Sequence, residues 1–189
     1  MATTQPIRSK DEVSKLLDYF LISGRLRDHI LVVLSIYTAL RISDILRLNW
    51  NDVYDFERKC VRKSISITEK KTGKSKIIAL NKRAVSALKL LAVSSAAPGH
   101  ILIENKRTGK AISRIQAYRI IRDAAEAIAM QSRVSCHSLR KTFGYHAWKG
   151  GASPAVIMDI YNHSSLDVTK LYLGISQDDK NDVYMGLSF

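Results

Sequence analysis

The stretch Ile30–Ile36 is apolar at every position except Ser35, and the surrounding segment 27–40 contains neither glycine nor proline. It is shorter than the roughly 20 apolar residues that cross a membrane. A helix without a polar face has to be covered on all sides. This segment therefore predicts a central buried helix from about Arg27 to Leu40, with other elements built around it. Before it, Ser9 and Glu12 have capping-box spacing, and Val13, Leu16, Leu17, Phe20 and Leu21 share one face up to about Ile22, with Gly24 as the stop. After it, a helix from about Ile42 turns Ile45, Leu46 and Leu48 inward, and Asn49–Asp52 reads as a turn.

The texture then changes. Val61, Ser64–Ile67 and Ile77–Leu80 are short β-rich runs, and 68–76, containing Thr72-Gly73, reads as a hairpin tip rich in lysine. Asn81 caps a helix to about Val93, Ile101–Ile103 reads as a further strand, and Arg107–Lys110 as a turn. Helices follow from Ser113 to about Met130, from Ser138 to Trp148, from Pro154 to Tyr161, and over Asp167–Leu173. The expected fold is mainly α with a small antiparallel β-sheet (α+β). Residues 4–10 read as a loose lead-in. The tail 176–189 alternates polar groups with Val183, Met185, Leu187 and Phe189.

Thirty Lys and Arg stand against seventeen Asp and Glu, a net charge of +13. The basic residues recur along the chain, at 58–63, 70–76, 106–114 and 140–141, which suits a folded groove for a polyanion better than a disordered arm. Cys60 and Cys136 form no Cys-x-x-Cys pair, so two free thiols are expected and no metal site. Residues 1–8 lack the apolar core of a secretory signal, and a cytoplasmic, DNA-associated location is expected.

Four polar patches interrupt this scaffold. Arg41 lies between two apolar helices, where a buried guanidinium needs a partner, and Asp44 is one candidate. Glu69-Lys70-Lys71-Thr72-Gly73-Lys74 forms the hairpin tip, and a solvated basic turn is the plain reading. His137 and Arg140 are three apart at a helix start and share a face. They serve equally as a capping histidine and a surface arginine. His163 and Tyr172 read singly as a core histidine and a half-buried aromatic.

Together, the segments TALRISDILRLNW, EKKTGKSKIIAL, SCHSLRKTFGYHA and YNHSSLDVTKLYL resemble, in chain order, the catalytic motifs of the tyrosine recombinases, also called the phage integrase family. The resemblance spans about Ser9 to Ile175. It implies a catalytic set of Arg41, Lys71 (with Lys70 and Lys74 as competitors), His137, Arg140, His163 and the nucleophile Tyr172. Two positions depart from the family pattern: Ala39 stands where glycine is usual, and Tyr161-Asn162 where Leu-Gly is usual. Asn162 is the replacement best able to keep a left-handed backbone.

The residue types suit metal-free phosphodiester chemistry. Two guanidiniums grip the non-bridging oxygens of an anionic electrophile. Cationic neighbours lower the cost of ionising a phenol whose free pKa is about 10. A lysine protonates the leaving oxygen. The resemblance implies site-specific cleavage and rejoining of double-stranded DNA through a 3′-phosphotyrosine, in integration, excision or inversion, without a cofactor. A DNA-binding accessory or regulatory protein without turnover is the alternative. Lys70, Lys74, Arg114, Arg119 and Lys141 are the expected DNA contacts. Residues 1–175 are expected to form the catalytic domain, without a separate N-terminal core-binding domain. The tail 176–189 would dock on its own or a neighbouring subunit, in a tetramer on DNA, with an accessory DNA-bending protein as a further partner.

Overall fold

The computed structural model describes residues 4–187. The chain forms α1 (Lys10–Ile22), α2 (Leu26–Tyr37), α3 (Ile42–Ile45) and α4 (Trp50–Val53). The strands β1 (Tyr54–Asp55), β2 (Cys60–Val61), β3 (Ser64–Thr68) and β4 (Ser75–Ala79) follow, then α5 (Lys82–Ser95), β5 (Glu104–Asn105) and β6 (Lys110–Ala111). The C-terminal half is helical: α6 (Arg114–Ala127), α7 (Cys136–Lys149), α8 (Pro154–Tyr161), α9 (Leu166–Leu173) and α10 (Gln177–Met185). Helix α2 is the central element. Every residue from Asp28 to Ile36 is buried, and α1, α5 and α7 pack around it.

Caps set most boundaries. Ser9 Oγ accepts the Glu12 N–H, and Gly24 turns the chain at φ +65°. Helix α2 ends at Tyr37 rather than Leu40 because Thr38 bonds back to the Leu34 carbonyl and Ala39 takes φ +55°. The expected third helix is a single turn. The expected turn 49–52 is instead α4, closed by a capping box between Asn49 and Asp52. Helix α7 starts at Cys136, two residues before the expected Ser138, because Ser135 and Ser138 cap it reciprocally. Helix α6 stops at Ala127, where Ala129 turns left-handed.

The small antiparallel β-structure is present, divided among the described residues into three separate two-stranded ribbons. The longest pairs β3 with β4, from Ser64 opposite Ala79 to Thr68 opposite Ser75. Ile101–Ile103 is not a strand. Only Ile101 bridges Asn49, and the ribbon lies just beyond it, around the turn at 107–110. The lead-in is also tied down. Ile7 is buried, its N–H donates to Thr142 Oγ1 at 2.9 Å, and its carbonyl pairs with His146 Nε2 at 3.0 Å.

A smaller apolar cluster of Ala39, Ile157, Tyr161 and Leu173 joins α7, α8 and α9. Gly144 makes this joint close. A Cβ there would sit 2.5 Å from the Tyr161 hydroxyl, which accepts the Gly144 N–H at 2.8 Å and donates to the Arg140 carbonyl at 2.6 Å. The tail is helical, with Ser176 and Asp179 forming the capping box of α10. Asp179 pairs with Lys149 at 2.7 Å, while Val183, Met185 and Leu187 are exposed. Phe189 lies outside the described residues. Among the described residues, no helix is long and apolar enough to cross a membrane.

Candidate active site

The joint between the two cores places side chains from α3, the β3–β4 hairpin, α6, α7 and α9 around one open groove of about 1180 Å³. Its lining includes Arg41, Lys70, Lys71, Arg114, His137, Arg140 and Tyr172. Arg41 precedes α3 in extended backbone, so its side chain leaves the core edge toward the groove. His137 and Arg140 lie on the first turns of α7. Tyr172 is half-buried near the end of α9.

Tyr172 sits between two imidazoles. Its ring meets His137 edge-on with centroids 4.8 Å apart and His163 at 4.4 Å. His163 also stacks on Tyr161 at 4.9 Å. His163 Nδ1 lies 3.1 Å from the buried Thr169 hydroxyl, which fixes the ring's rotation and leaves Nε2 for other contacts. Both histidines are biased toward the neutral form. For His163, burial and the charges of Arg140 and Arg41 push the pKa down to about 4. For His137, burial of its inner side acts first, and Lys141, Arg140 and Arg41 add to it. A neutral His137 can accept a proton, as a base beside a phenol must.

The two arginines are held differently. Arg140 is buried, and its Nη1 and Nη2 donate to the carbonyls of Ala39 and Tyr161 while the guanidinium lies 4.7 Å over the Tyr161 ring. Two of its five N–H groups are thereby committed, and Nε has no protein partner among the described residues. The Ala39 carbonyl belongs to a left-handed alanine. That conformation costs roughly 1–2 kcal/mol for a non-glycine residue, and it explains why glycine would suit this position. Arg41 is not paired with Asp44 as the spacing suggested. Its Nη1 donates to Glu69 at 2.7 Å, and Asp44 instead accepts the Lys70 backbone N–H at 2.9 Å.

Glu69, assigned no role from sequence, is a fully buried hub. Besides Arg41 it receives Lys76 Nζ at 2.7 Å, the Thr72 hydroxyl at 2.9 Å and Asn162 Nδ2 at 3.1 Å. Burial alone would raise its pKa, but these donors, led by Lys76, hold it down at about 2. Lys76 was counted only within the basic run 70–76 of the hairpin, and its inward turn onto Glu69 was likewise missed. Tyr118 and Ile115 were missed because only the arginines and Gln116 of α6 were weighed, yet both line the groove.

The expected DNA contacts separate into three groups. Lys70 and Arg114 line the groove, and Lys74 is exposed at the hairpin tip. Arg119 faces a different hollow, with Arg25 and Arg27. Lys141 has to be corrected. It is 2% exposed, and its ammonium donates to the carbonyls of Thr4 and Leu171 and lies 5.5 Å from the Tyr172 ring centroid, so it is removed from the groove surface. Among the described residues, no cluster of three or more His, Cys, Asp or Glu side chains is placed to hold a metal ion.

The histidine shifts carry a pH prediction. His29, His137, His146 and His163 all have folded pKa values below the ordinary 6.5, each with burial as the first cause. The unfolded chain then binds protons first, so the stability these groups contribute is present above pH 6.5 and lost as pH falls toward their folded values. Thermal unfolding should show Tm falling between pH 7 and pH 5, before the carboxylates titrate. His163→Asn should flatten that decline. An unchanged slope in this variant would remove His163 from the account.

The comparisons with known proteins point one way. The model of the phage integrase family matches residues 8–178. "Probable integrase/recombinase YoeC" of Bacillus subtilis is 37% identical over 185 residues, covering 97% of each chain. Tyrosine recombinase XerD of Corynebacterium glutamicum is 30% identical over 166 residues, which is 85% of this chain but 52% of that protein. The chain thus spans about half the length of its XerD relative. Among solved structures, XerA recombinase superposes with a TM-score of 0.79 at 22% identity, over 98% of this chain and 65% of that one. XerH recombinase bound to a difH substrate superposes at 0.74 and 17% identity, over 98% and 54%. The catalytic-domain fold, mainly α with small antiparallel ribbons, is shared with these structures, and the chain belongs to the phage integrase family, the tyrosine recombinases.

Proposed function

We propose that this protein is a site-specific recombinase that breaks and rejoins double-stranded DNA with Tyr172 as nucleophile. The observation that carries the reading is the position of Tyr172, flanked by His137 and His163, in a groove it shares with Arg41, Arg140 and Lys71. The phenol oxygen attacks phosphorus and forms the O–P bond of a 3′-phosphotyrosine while the bond to the 5′ oxygen breaks. His137 takes the phenolic proton, and Lys71 gives one to the leaving 5′ oxygen. Arg41 and Arg140 hold the non-bridging oxygens, whose charge grows toward the transition state. His163 adds a hydrogen bond. The linkage keeps the energy of the broken bond, so a 5′-hydroxyl from another strand completes rejoining without ATP. A relative whose solved complex contains a difH substrate supports DNA as the partner. The complete set of reacting groups disfavours a binding protein without turnover.

Lys70, Lys74 and Arg114 contact DNA phosphates, so binding weakens steeply with salt. Residues 1–175 act as the catalytic domain. The exposed Val183, Tyr184, Met185 and Leu187 of the tail find cover on a neighbouring subunit in a tetramer on DNA. An accessory DNA-bending protein assists that assembly.

The test uses a pool of nicked duplexes randomised around the nick, incubated with the protein in EDTA. A covalent adduct resistant to denaturant is expected, with mass spectrometry placing the nucleotide on Tyr172 and with a new 5′-hydroxyl on the released strand. An adduct carrying a 5′-phosphate linkage, or no adduct from any duplex, would sink the reading.

A further inference from the structure

The hairpin that carries Lys71 is fastened to the rest of the site by an unusual residue. Asn162 ends α8 in the left-handed region, at φ 53° and ψ 46°. Glycine would satisfy that backbone at no steric cost. Asparagine adds a side chain, and that side chain spans to the hairpin. Its Nδ2 donates to Glu69 Oε2 at 3.1 Å across 93 residues of sequence. The same oxygen accepts the Thr72 hydroxyl of the hairpin tip and the Nη1 of Arg41.

Glu69 itself closes the tip. Its N–H donates to the Lys74 carbonyl at 3.0 Å, and its carbonyl accepts from Gly73 at 2.9 Å. Lys76 Nζ, next along the strand, also reaches the Ile160 carbonyl of α8 at 3.3 Å. The two lysines that line the groove, Lys70 and Lys71, are thus set on a loop whose base is bonded to the turn preceding His163.

We propose that Asn162 is a positioning residue that latches the hairpin onto the catalytic face through Glu69, so that Lys71 is preset at the leaving oxygen before DNA arrives. The inference rests on the recombinase reading above. It goes beyond it by giving a role to two residues that touch neither phosphate nor nucleophile. The base of the ribbon is anchored by Ile65 in the main core, with Ile67 and Ile78 packed against it, but the tip 69–74 carries no apolar side chain, and ribbons without such support are marginally stable. The place of the tip therefore depends on these polar ties. A buried carboxylate shared by several donors is also costly to leave partly unmet, which makes the closed arrangement strongly preferred.

The experiment combines a structural and a chemical readout on Asn162→Gly and Asn162→Asp. Glycine keeps the left-handed turn without the tie, and aspartate keeps a side chain but sets it against Glu69. Limited trypsin digestion at Lys70, Lys71 and Lys74 should accelerate roughly 5–10-fold in both, the scale of one lost hydrogen bond. Single-turnover cleavage is then measured on a nicked duplex that the wild-type protein traps, made with either oxygen or sulfur at the bridging 5′ position. A thiolate leaves without a proton, so the sulfur substrate does not need Lys71. Both variants should lose roughly 10-fold on the oxygen substrate, part of the 10²–10⁴ that a general acid supplies, and stay within about twofold of wild type on sulfur. In a Lys71→Ala background, Asn162→Gly should have no further effect.

Unchanged proteolysis and unchanged cleavage in both variants would overturn the latch. Equal losses on oxygen and sulfur would overturn it too, by placing the fault at Arg41 or in binding. Absence of any adduct with the wild-type protein would instead defeat the recombinase reading, which keeps the two failures distinct.

Discussion

Tyr172→Phe is expected to abolish the covalent DNA adduct, by at least about 10⁴-fold, the scale lost when a covalent nucleophile is removed, while leaving the fold and DNA affinity close to wild type. The ring is retained, so its edge contacts with His137 and His163 survive. Tyr172 is only half-buried, so removing its hydroxyl opens no sealed cavity in the core. The substitution therefore separates chemistry from structure. Gel-shift titration and thermal unfolding should report near-wild-type values alongside a blank adduct lane. The neighbouring phenols do not substitute. Tyr161 is fully buried, its hydroxyl is held between the Gly144 N–H and the Arg140 carbonyl, and burial pushes its pKa well above that of a free phenol. Tyr184 is exposed on α10, away from the groove lining. A Tyr172→Phe protein that still traps DNA would remove Tyr172 as the nucleophile.

Much of this arrangement was legible in the chain because its determinants are local. The apolar run in α2 and the capping serines predict helices that exist, and the four motif segments converge on one groove. The left-handed Asn162 was also foreseen, because short polar side chains tolerate that backbone. What stayed hidden is non-local. Arg41 chose Glu69, 28 residues away, over the nearer Asp44, a choice that depends on the hairpin folding back over α3. Lys141 reads as a groove contact by its place beside Arg140, but one step around α7 turns it inward, where carbonyls from two distant segments receive it. Arg119 shows the same limit on α6: sequence gives its charge, but only the helix's packing sets it in a hollow beside Arg25 and Arg27 rather than in the groove.

The arginine substitutions should separate as sharply as their environments do. Each guanidinium removed should lower cleavage by about 10²–10³-fold, as expected for one fixed donor to a developing anion. Arg140→Ala should also weaken the fold by roughly 2–4 kcal/mol, since it leaves the buried carbonyls of Ala39 and Tyr161 unpaired, strips the cation from the Tyr161 ring and opens space at the joint between the two cores. Arg41→Ala acts at the groove wall, where the side chain is 20% exposed. Glu69 keeps Lys76, Thr72 and Asn162 there, so the loss of stability should stay near about 1 kcal/mol. Denaturant midpoints measured beside single-turnover cleavage would show two variants equally poor as catalysts but unequal as folded proteins. Equal destabilisation would mean that Glu69 depends on Arg41 as its principal counter-ion. Full activity in either variant would mean that the phosphate is gripped elsewhere.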